Sequence, residues 1–305
     1  MMASKASEEL GKLYKSWVAE MAEKPDMGLD EIRDLFSHWG DVTVDPSGVD
    51  YVEVDAGGVP AMWVIPKGCV WDRALLCSHG GGYVVGSMYT HRKLFGHIAK
   101  AVGCRALIVD YRRAPESIHP GPVNDMVTAY RWLIEQAALR PEHIAFTGDS
   151  AGGALAITTI AAAKEHGLPL PAATMPMSPW AGLDTSGSTY DTNADKDALV
   201  SRDTTNNLGS MFIGTANDPY NPLANPLYTN YSGFPPIYVT VGDYETLLDD
   251  SVRIVERAQN AGADAQIKKF PEMQHVFQFL AGRAPEADVA IQEMAQWVRP
   301  KLGLN

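Results

Sequence analysis

Ile144-Ala145-Phe146-Thr147-Gly148-Asp149-Ser150-Ala151-Gly152-Gly153-Ala154-Leu155-Ala156-Ile157 is a short apolar run that breaks at a Gly-x-Ser-x-Gly pentapeptide and resumes as small and aliphatic residues. Read as a buried strand, a tight turn and a helix, it has the context of a nucleophile elbow, with Ser150 on a turn too sharp for side chains at Gly148 and Gly152. The helix behind such a turn aims its free N–H groups and the positive end of its dipole at any charge that develops near the serine. A glycine-rich loop whose serine merely caps a helix fits the same five residues. The pentapeptide alone leaves both readings open.

Outward from this stretch, short apolar runs alternate with helix-period segments, the pattern of parallel βαβ units. Strands are expected at 74–77, 106–109, 144–147, 172–177, 237–241 and 266–270, and helices around Leu94 to Val102, 122–138, 246–261 and 286–299. Ahead of them, Val49 to Asp55, the Ala56-Gly57-Gly58 turn and Val59 to Ile65 read as a hairpin at a sheet edge. The N-terminus is helical, with Leu10, Leu13, Tyr14, Trp17, Val18 and Met21 on one stripe up to Pro25 and a second short helix from Leu29 to Phe36. Residues 183–236, rich in Asn, Asp, Thr, Pro and Gly, interrupt the alternation and read as an insertion with helix near Thr204 to Phe212.

With 305 residues, 46% hydrophobic and 20% charged, the chain has ample material for one large α/β core with an appendage. Its net charge of -12 argues against a nucleic-acid partner and leaves no basic run for anionic lipid. No stretch is apolar for long enough to span a bilayer, and Met1 to Glu9 lacks the apolar core of a secretory signal, so the expectation is a cytoplasmic protein. Cys69, Cys77 and Cys104 lack metal-ligand spacing and are read as reduced and structural. No metal and no cofactor is expected.

Chemistry concentrates in three places. His79-Gly80-Gly81-Gly82-Tyr83 follows a strand, and its glycines let main-chain N–H groups approach a ligand closely; a phosphate loop would need a Gly-Lys-Ser/Thr ending or a GxGxxG spacing, and neither is present. A nucleophilic serine of this architecture is followed by an acid and then a histidine. Of the two histidines after Ser150, His166 closes the elbow helix, whereas His275 lies in a loop past the last strand, behind Pro271-Glu272-Met273-Gln274. For the acid, Asp243, Glu245, Asp249 and Asp250 all follow the strand at 237–241.

Together with Asp110-Tyr111-Arg112-Arg113-Ala114-Pro115-Glu116, Ser178-Pro179-Trp180 and His275-Val276-Phe277, these motifs make residues 40–300 closely resemble the hormone-sensitive-lipase-like bacterial esterases of the α/β-hydrolase superfamily. The resemblance implies an eight-stranded, mostly parallel sheet flanked by helices, with catalytic segments 41–182 and 237–305 and a helical cap from residues 1–40 and 183–236. It implies a serine carboxylesterase acting on short to medium acyl chains through an acyl-enzyme, with Gly81, Gly82 and Ala151 as the oxyanion hole. The family's acid commonly lies in an Asp-Pro-Leu-x-Asp segment; aligning Leu247 and Asp249 with it puts Glu245 in the acid's place, with Asp243 the runner-up and Asp249 and Asp250 left as helix N-terminal charges. The implied cap gives some of Trp17, Met21, Leu208, Met211 and Phe212 a place in the substrate pocket. A lactone hydrolase would use the same tetrahedral chemistry. A non-catalytic small-ligand receptor on the same fold is the contrasting class, disfavoured by the presence of both Ser150 and His275. Pairing through an exposed edge strand is a route to a homodimer.

Overall fold

A computed structural model of the chain describes residues 3–215 and 217–305. Two helices lead, α1 (Lys5–Glu23) and α2 (Leu29–Ser37), followed by strands β1 (Val49–Asp55), β2 (Pro60–Pro66) and β3 (Val70–Ser78). Alternation then sets in: α3 (Met88–Val102), β4 (Cys104–Val109), α4 (Gly121–Glu135), β5 (Ile144–Asp149), α5 (Ala151–Glu165) and β6 (Ala173–Met177). Two helices, α6 (Thr189–Thr192) and α7 (Arg202–Ile213), lie in the long connection to β7 (Ile237–Gly242), and α8 (Leu248–Asn260), β8 (Ala265–Phe270) and α9 (Pro285–Val298) complete the chain.

One eight-stranded sheet has the order β1-β2-β4-β3-β5-β6-β7-β8. Only the pairings of β2, with β1 and with β4, are antiparallel; the remainder are parallel. The expected hairpin is therefore present, and β1 forms one edge. Side-chain alternation splits the interior into two apolar layers. Leu75, Cys77, Ala106 and Ile108 point to the layer holding α1, α3 and α9, while Ala74, Leu76, Leu107 and Val109 point to the layer holding α4, α5 and α8. The inner strands β5, β6 and β7 are buried throughout, as continuous apolar runs covered on both faces require. Helix α5 is buried from Ala151 to Ala163, which explains its small and aliphatic composition: a helix surrounded by protein needs no polar face.

Boundaries differ from the sequence reading where a strand begins in solvent. β3 begins at Val70 rather than near residue 74, because its first residues, Val70, Trp71 and Asp72, are exposed and carry no core signal. The three cysteines are free and buried. Among the described residues no helix is long and apolar enough to cross a membrane.

Candidate active site

The site forms where the parallel strands end. β3 delivers His79 to Gly82, β5 delivers Ser150, β6 delivers Ser178, and the loops after β7 and β8 deliver Glu245 and His275. Carboxyl ends of strands in an open α/β sheet are where such folds place their ligands.

Ser150 sits at φ 54°, ψ -123°, a left-handed conformation that a non-glycine residue adopts only when its surroundings enforce it. The enforcement is visible. Ser150 N–H donates to the Met177 carbonyl at 2.9 Å, and the Ser150 carbonyl accepts the N–H groups of Trp180 at 3.0 Å and Ala154 at 3.1 Å. A Cβ on Gly148 would lie 2.4 Å from the Gly152 carbonyl oxygen, and one on Gly152 would lie 2.1 Å from that of Ser78. Both glycines are thus required by close packing of the elbow against the neighbouring strand end.

Asp149, beside the serine, turns away from it and organises the glycine loop. Its Oδ1 accepts the Gly80 N–H at 3.1 Å and its Oδ2 lies 3.2 Å from His91 Nε2, with all three groups buried. The Gly81 carbonyl accepts the N–H groups of Val84 and Val85, folding the loop back on itself. What remains uncommitted is informative: the N–H groups of Gly81, Gly82 and Ala151 find no main-chain partner among the described residues. His79 stacks on Tyr111, with ring centroids 4.2 Å apart, while the Tyr111 hydroxyl donates to the His79 carbonyl at 2.7 Å. Burial, reinforced by the adjacent His91, pushes the His79 pKa well below its ordinary value, so this imidazole is a neutral structural plate.

Of the four carboxylates after β7, Glu245 is the one on the histidine. Its Oε2 lies 2.8 Å from His275 Nδ1, and its Oε1 accepts the Gly242 N–H at 2.5 Å and the Ser178 hydroxyl at 2.7 Å. Asp243 faces elsewhere and accepts the Glu272 N–H at 2.5 Å. Asp249 and Asp250 do lie in the first turn of α8, but Asp250 is more than a helix-end charge. It is fully buried and accepts the N–H groups of Ala181 and Gly182 at 3.0 and 2.9 Å, and burial lifts its pKa to about 6. Burial raises Glu245 above the ordinary carboxylate value, opposed by its donors. Burial also works against a charged His275, yet the hydrogen bond and charge of Glu245, helped by Asp197 and Asp149, outweigh it and leave the imidazole pKa above its ordinary value. His166 caps the far end of α5, one helix length from the elbow.

The α/β-hydrolase-fold family matches residues 75–279. An acetyl-hydrolase of Streptomyces hygroscopicus is 35% identical over 265 residues, 87% of this chain and 86% of that one. A crystal structure of an esterase from the bacterial hormone-sensitive lipase family superposes with a TM-score of 0.94 at 38% identity, covering 99% of this chain and all of the other. The chain belongs to that family. It is, with its family, a carboxylic ester hydrolase. An esterase/lipase from an uncultured bacterium, 33% identical with a TM-score of 0.90 over 99% of this chain, has the same fold.

In this hormone-sensitive-lipase-family chain the apolar residues expected at a pocket take different places. Leu208 of α7 packs on the glycine loop so closely that a Cβ on Gly82 would lie 2.5 Å from its Cδ1, and it touches both apolar layers. Phe212 stacks on Tyr83 with centroids 3.7 Å apart, filling the space behind that loop. Met21 and Met211 are half-buried against the layer that holds α1 and α3. Trp17 is knotted among Tyr14, Phe36 and Trp39, with centroids 5.2–6.0 Å apart, and serves packing.

Two side chains bond to Glu245 or the His275 segment although sequence reasoning assigned them no role. Ser178, at φ 47°, gives its hydroxyl proton to Glu245 and accepts the Val276 N–H at 3.4 Å. Asn193 of the long β6–β7 connection donates to the carbonyls of Glu245 and Asp243 at 2.8 and 3.0 Å. Ser178 belongs to the Ser178-Pro179-Trp180 motif, but nothing local marks a serine after a buried strand as the partner of a carboxylate 67 residues later.

Proposed function

We propose that Ser150, His275 and Glu245 form a catalytic triad that hydrolyses short- to medium-chain acyl esters through an acyl-enzyme. The observation that carries this reading is the 2.8 Å contact of Glu245 with His275 Nδ1, at the same carboxyl-terminal end of the sheet as a serine held in a left-handed elbow. Glu245 keeps the proton on Nδ1, so Nε2 is the free basic nitrogen. Ser150 Oγ attacks the ester carbonyl as Nε2 takes its proton. The oxyanion forms toward the uncommitted N–H groups of Gly81, Gly82 and Ala151, at the N-terminus of α5. The protonated imidazole then delivers its proton to the departing alcohol. Water, activated by the same nitrogen, attacks the acyl carbon and releases the acid and the serine.

Residues 1–40 and 183–236 act as the cap on the catalytic segments 41–182 and 237–305. Leu208 pressed on Gly82 leaves little depth above the glycine loop, which favours small acyl groups, and the relative named an acetyl-hydrolase points the same way. Replacing Ser150 by Ala is expected to lower kcat on 4-nitrophenyl acetate and butyrate by on the order of 10⁶, as for other serine hydrolases. A fluorophosphonate should label the wild-type serine and leave the variant unlabelled. Near-normal turnover by Ser150→Ala, or no labelling of the wild type, would refute the mechanism; the second result would instead indicate a ligand-binding pocket.

A further inference from the structure

The N-terminal helices contact the main chain of both halves of the site. From α1, the Tyr14 hydroxyl donates to the carbonyl of His275 itself at 3.0 Å, in a fully buried setting. A hydroxyl has one proton to give, and Trp39 settles its direction: Nε1 of the indole donates to Tyr14 Oη at 3.1 Å, leaving the tyrosine proton for His275. Trp39 also stacks on Phe279, four residues past the histidine, with centroids 5.4 Å apart. From α2, the Arg33 guanidinium donates to the Val84 carbonyl at 3.0 Å and the Ala114 carbonyl at 3.1 Å, and forms a bidentate pair with Glu116 at 2.6 and 2.7 Å. Val84 closes the turn of the oxyanion glycines through its N–H bond to the Gly81 carbonyl.

Both target segments need holding. Val276, next to the histidine, is a β-branched residue at φ 49°, ψ 48°, and Tyr83, next to the last glycine, is at φ 63°. Non-glycine residues of this kind stay in the left-handed region only where neighbouring structure over-determines them. A buried tyrosine hydroxyl needs a partner in any setting; the particular feature here is that the partner is the carbonyl of His275 itself.

We infer that Tyr14 and Arg33 are positioning residues, through which docking of α1 and α2 sets the imidazole and the oxyanion loop in register. The inference rests on the reading of His275 as the base and of Gly81 and Gly82 as oxyanion donors. It separates turnover from binding: a pocket wall changes KM or acyl preference, whereas loss of register lowers kcat. Tyr14→Phe keeps the ring and its packing while removing the bond to His275. It should lower kcat by about tenfold with KM within about twofold, since small misplacements of a catalytic group have costs of this size. Arg33→Met should lower kcat several-fold, Arg33→Lys should restore part of it, and Glu116→Gln, which spares the bonds to Val84 and Ala114, should stay within about twofold of wild type.

Active-site titration with a fluorophosphonate expresses every kcat per competent serine, so partial unfolding does not imitate the effect. The inference is overturned if Tyr14→Phe and Arg33→Met keep wild-type kcat per titrated site, or if they change only KM. If His275→Ala retains near-normal turnover, the triad reading itself fails and this inference with it. Loss of turnover in His275→Ala beside full turnover in Tyr14→Phe sinks the positioning role alone.

Discussion

Replacing Glu245 by Gln tests the triad at its most specific point, because the surroundings dictate how the amide must sit. The Oε1 position is held by two donors, the Gly242 N–H at 2.5 Å and the Ser178 hydroxyl at 2.7 Å. Only the carbonyl oxygen of a glutamine can occupy it, so the NH₂ group takes the Oε2 position, 2.8 Å from His275 Nδ1. Facing a donor, Nδ1 must become an acceptor, and the imidazole proton moves to Nε2, the atom that has to receive the serine proton. Loss of the charge alone, with centres ~4 Å apart and an effective dielectric of ~20, removes roughly 4 kcal/mol of imidazolium stabilisation, on the order of 10³ in rate. Adding the wrong tautomer brings the expected fall in kcat to about 10⁴, the loss seen when the aspartate of a related triad is made an amide. Hydrolysis of 4-nitrophenyl butyrate, normalised to folded protein by circular dichroism, measures it. Asp243→Asn is the matched control, since Asp243 accepts a single backbone N–H from Glu272 and should stay within about tenfold of wild type. A Glu245→Gln enzyme within tenfold of wild type, or a greater loss in Asp243→Asn, would refute the assignment of the acid.

Three further outcomes follow from the same structure. Because Glu245 holds the His275 pKa above its ordinary value, and the base works only when neutral, kcat/KM should rise with pH and reach half its plateau above pH ~6.5; a profile flat from pH 5 to 9 contradicts His275 as base. Asp250 binds its proton more tightly when folded, at about 6, than when unfolded, at ~3.9, so its contribution to stability is fully present below pH ~4 and is lost as pH rises to about 6, a change of up to roughly 3 kcal/mol. Urea unfolding of Asp250→Asn should lack that decline relative to wild type, and parallel pH dependences would disprove it. Truncating Leu208 to Ala removes the side chain pressed on Gly82, and should raise kcat/KM for 4-nitrophenyl octanoate relative to acetate by about tenfold; an unchanged ratio removes Leu208 from the acyl pocket.

The parts of this fold legible in the sequence are those where burial writes a local pattern. β5 and α5 were readable because a strand covered on both faces is a continuous apolar run and a helix buried all round is small and aliphatic. The first residues of β3 were not, since exposed Val70, Trp71 and Asp72 look like loop until their pairing with β4 begins. The same limit governs the site. Gly242 to Asp250 carries four carboxylates within eight positions of one turn, and neither charge nor period says which faces the histidine; the directions of Gly242 N–H and Ser178 Oγ do. In the N-terminal stripe, periodicity puts Tyr14 and Trp17 on the same apolar face, yet one bonds to the His275 carbonyl and the other only packs. An apolar stripe reports which side of a helix leaves water, not what each residue meets there.

The carboxylate of Glu245, at a position where the resemblance to the family leads one to expect aspartate, is held by three contacts, with Gly242, Ser178 and His275. With one oxygen on the His275 imidazole, a carboxylate buried as Glu245 is must satisfy its other oxygen without water. Glu245 does so by folding back over its own turn, so that the residue three positions earlier, Gly242, becomes its donor at 2.5 Å. The strand ends in glycine because the loop leading to His275 packs against it: a Cβ on Gly242 would lie 2.1 Å from the Met273 carbonyl oxygen. Ser178 completes the shell from β6, and through the Val276 N–H it ties the acid's second oxygen to the backbone beside the histidine. Glu245 and the His275 segment are thus linked twice, once directly and once through Ser178. The longer glutamate side chain thus reaches the imidazole at 2.8 Å while its second oxygen stays bound to Gly242 and Ser178.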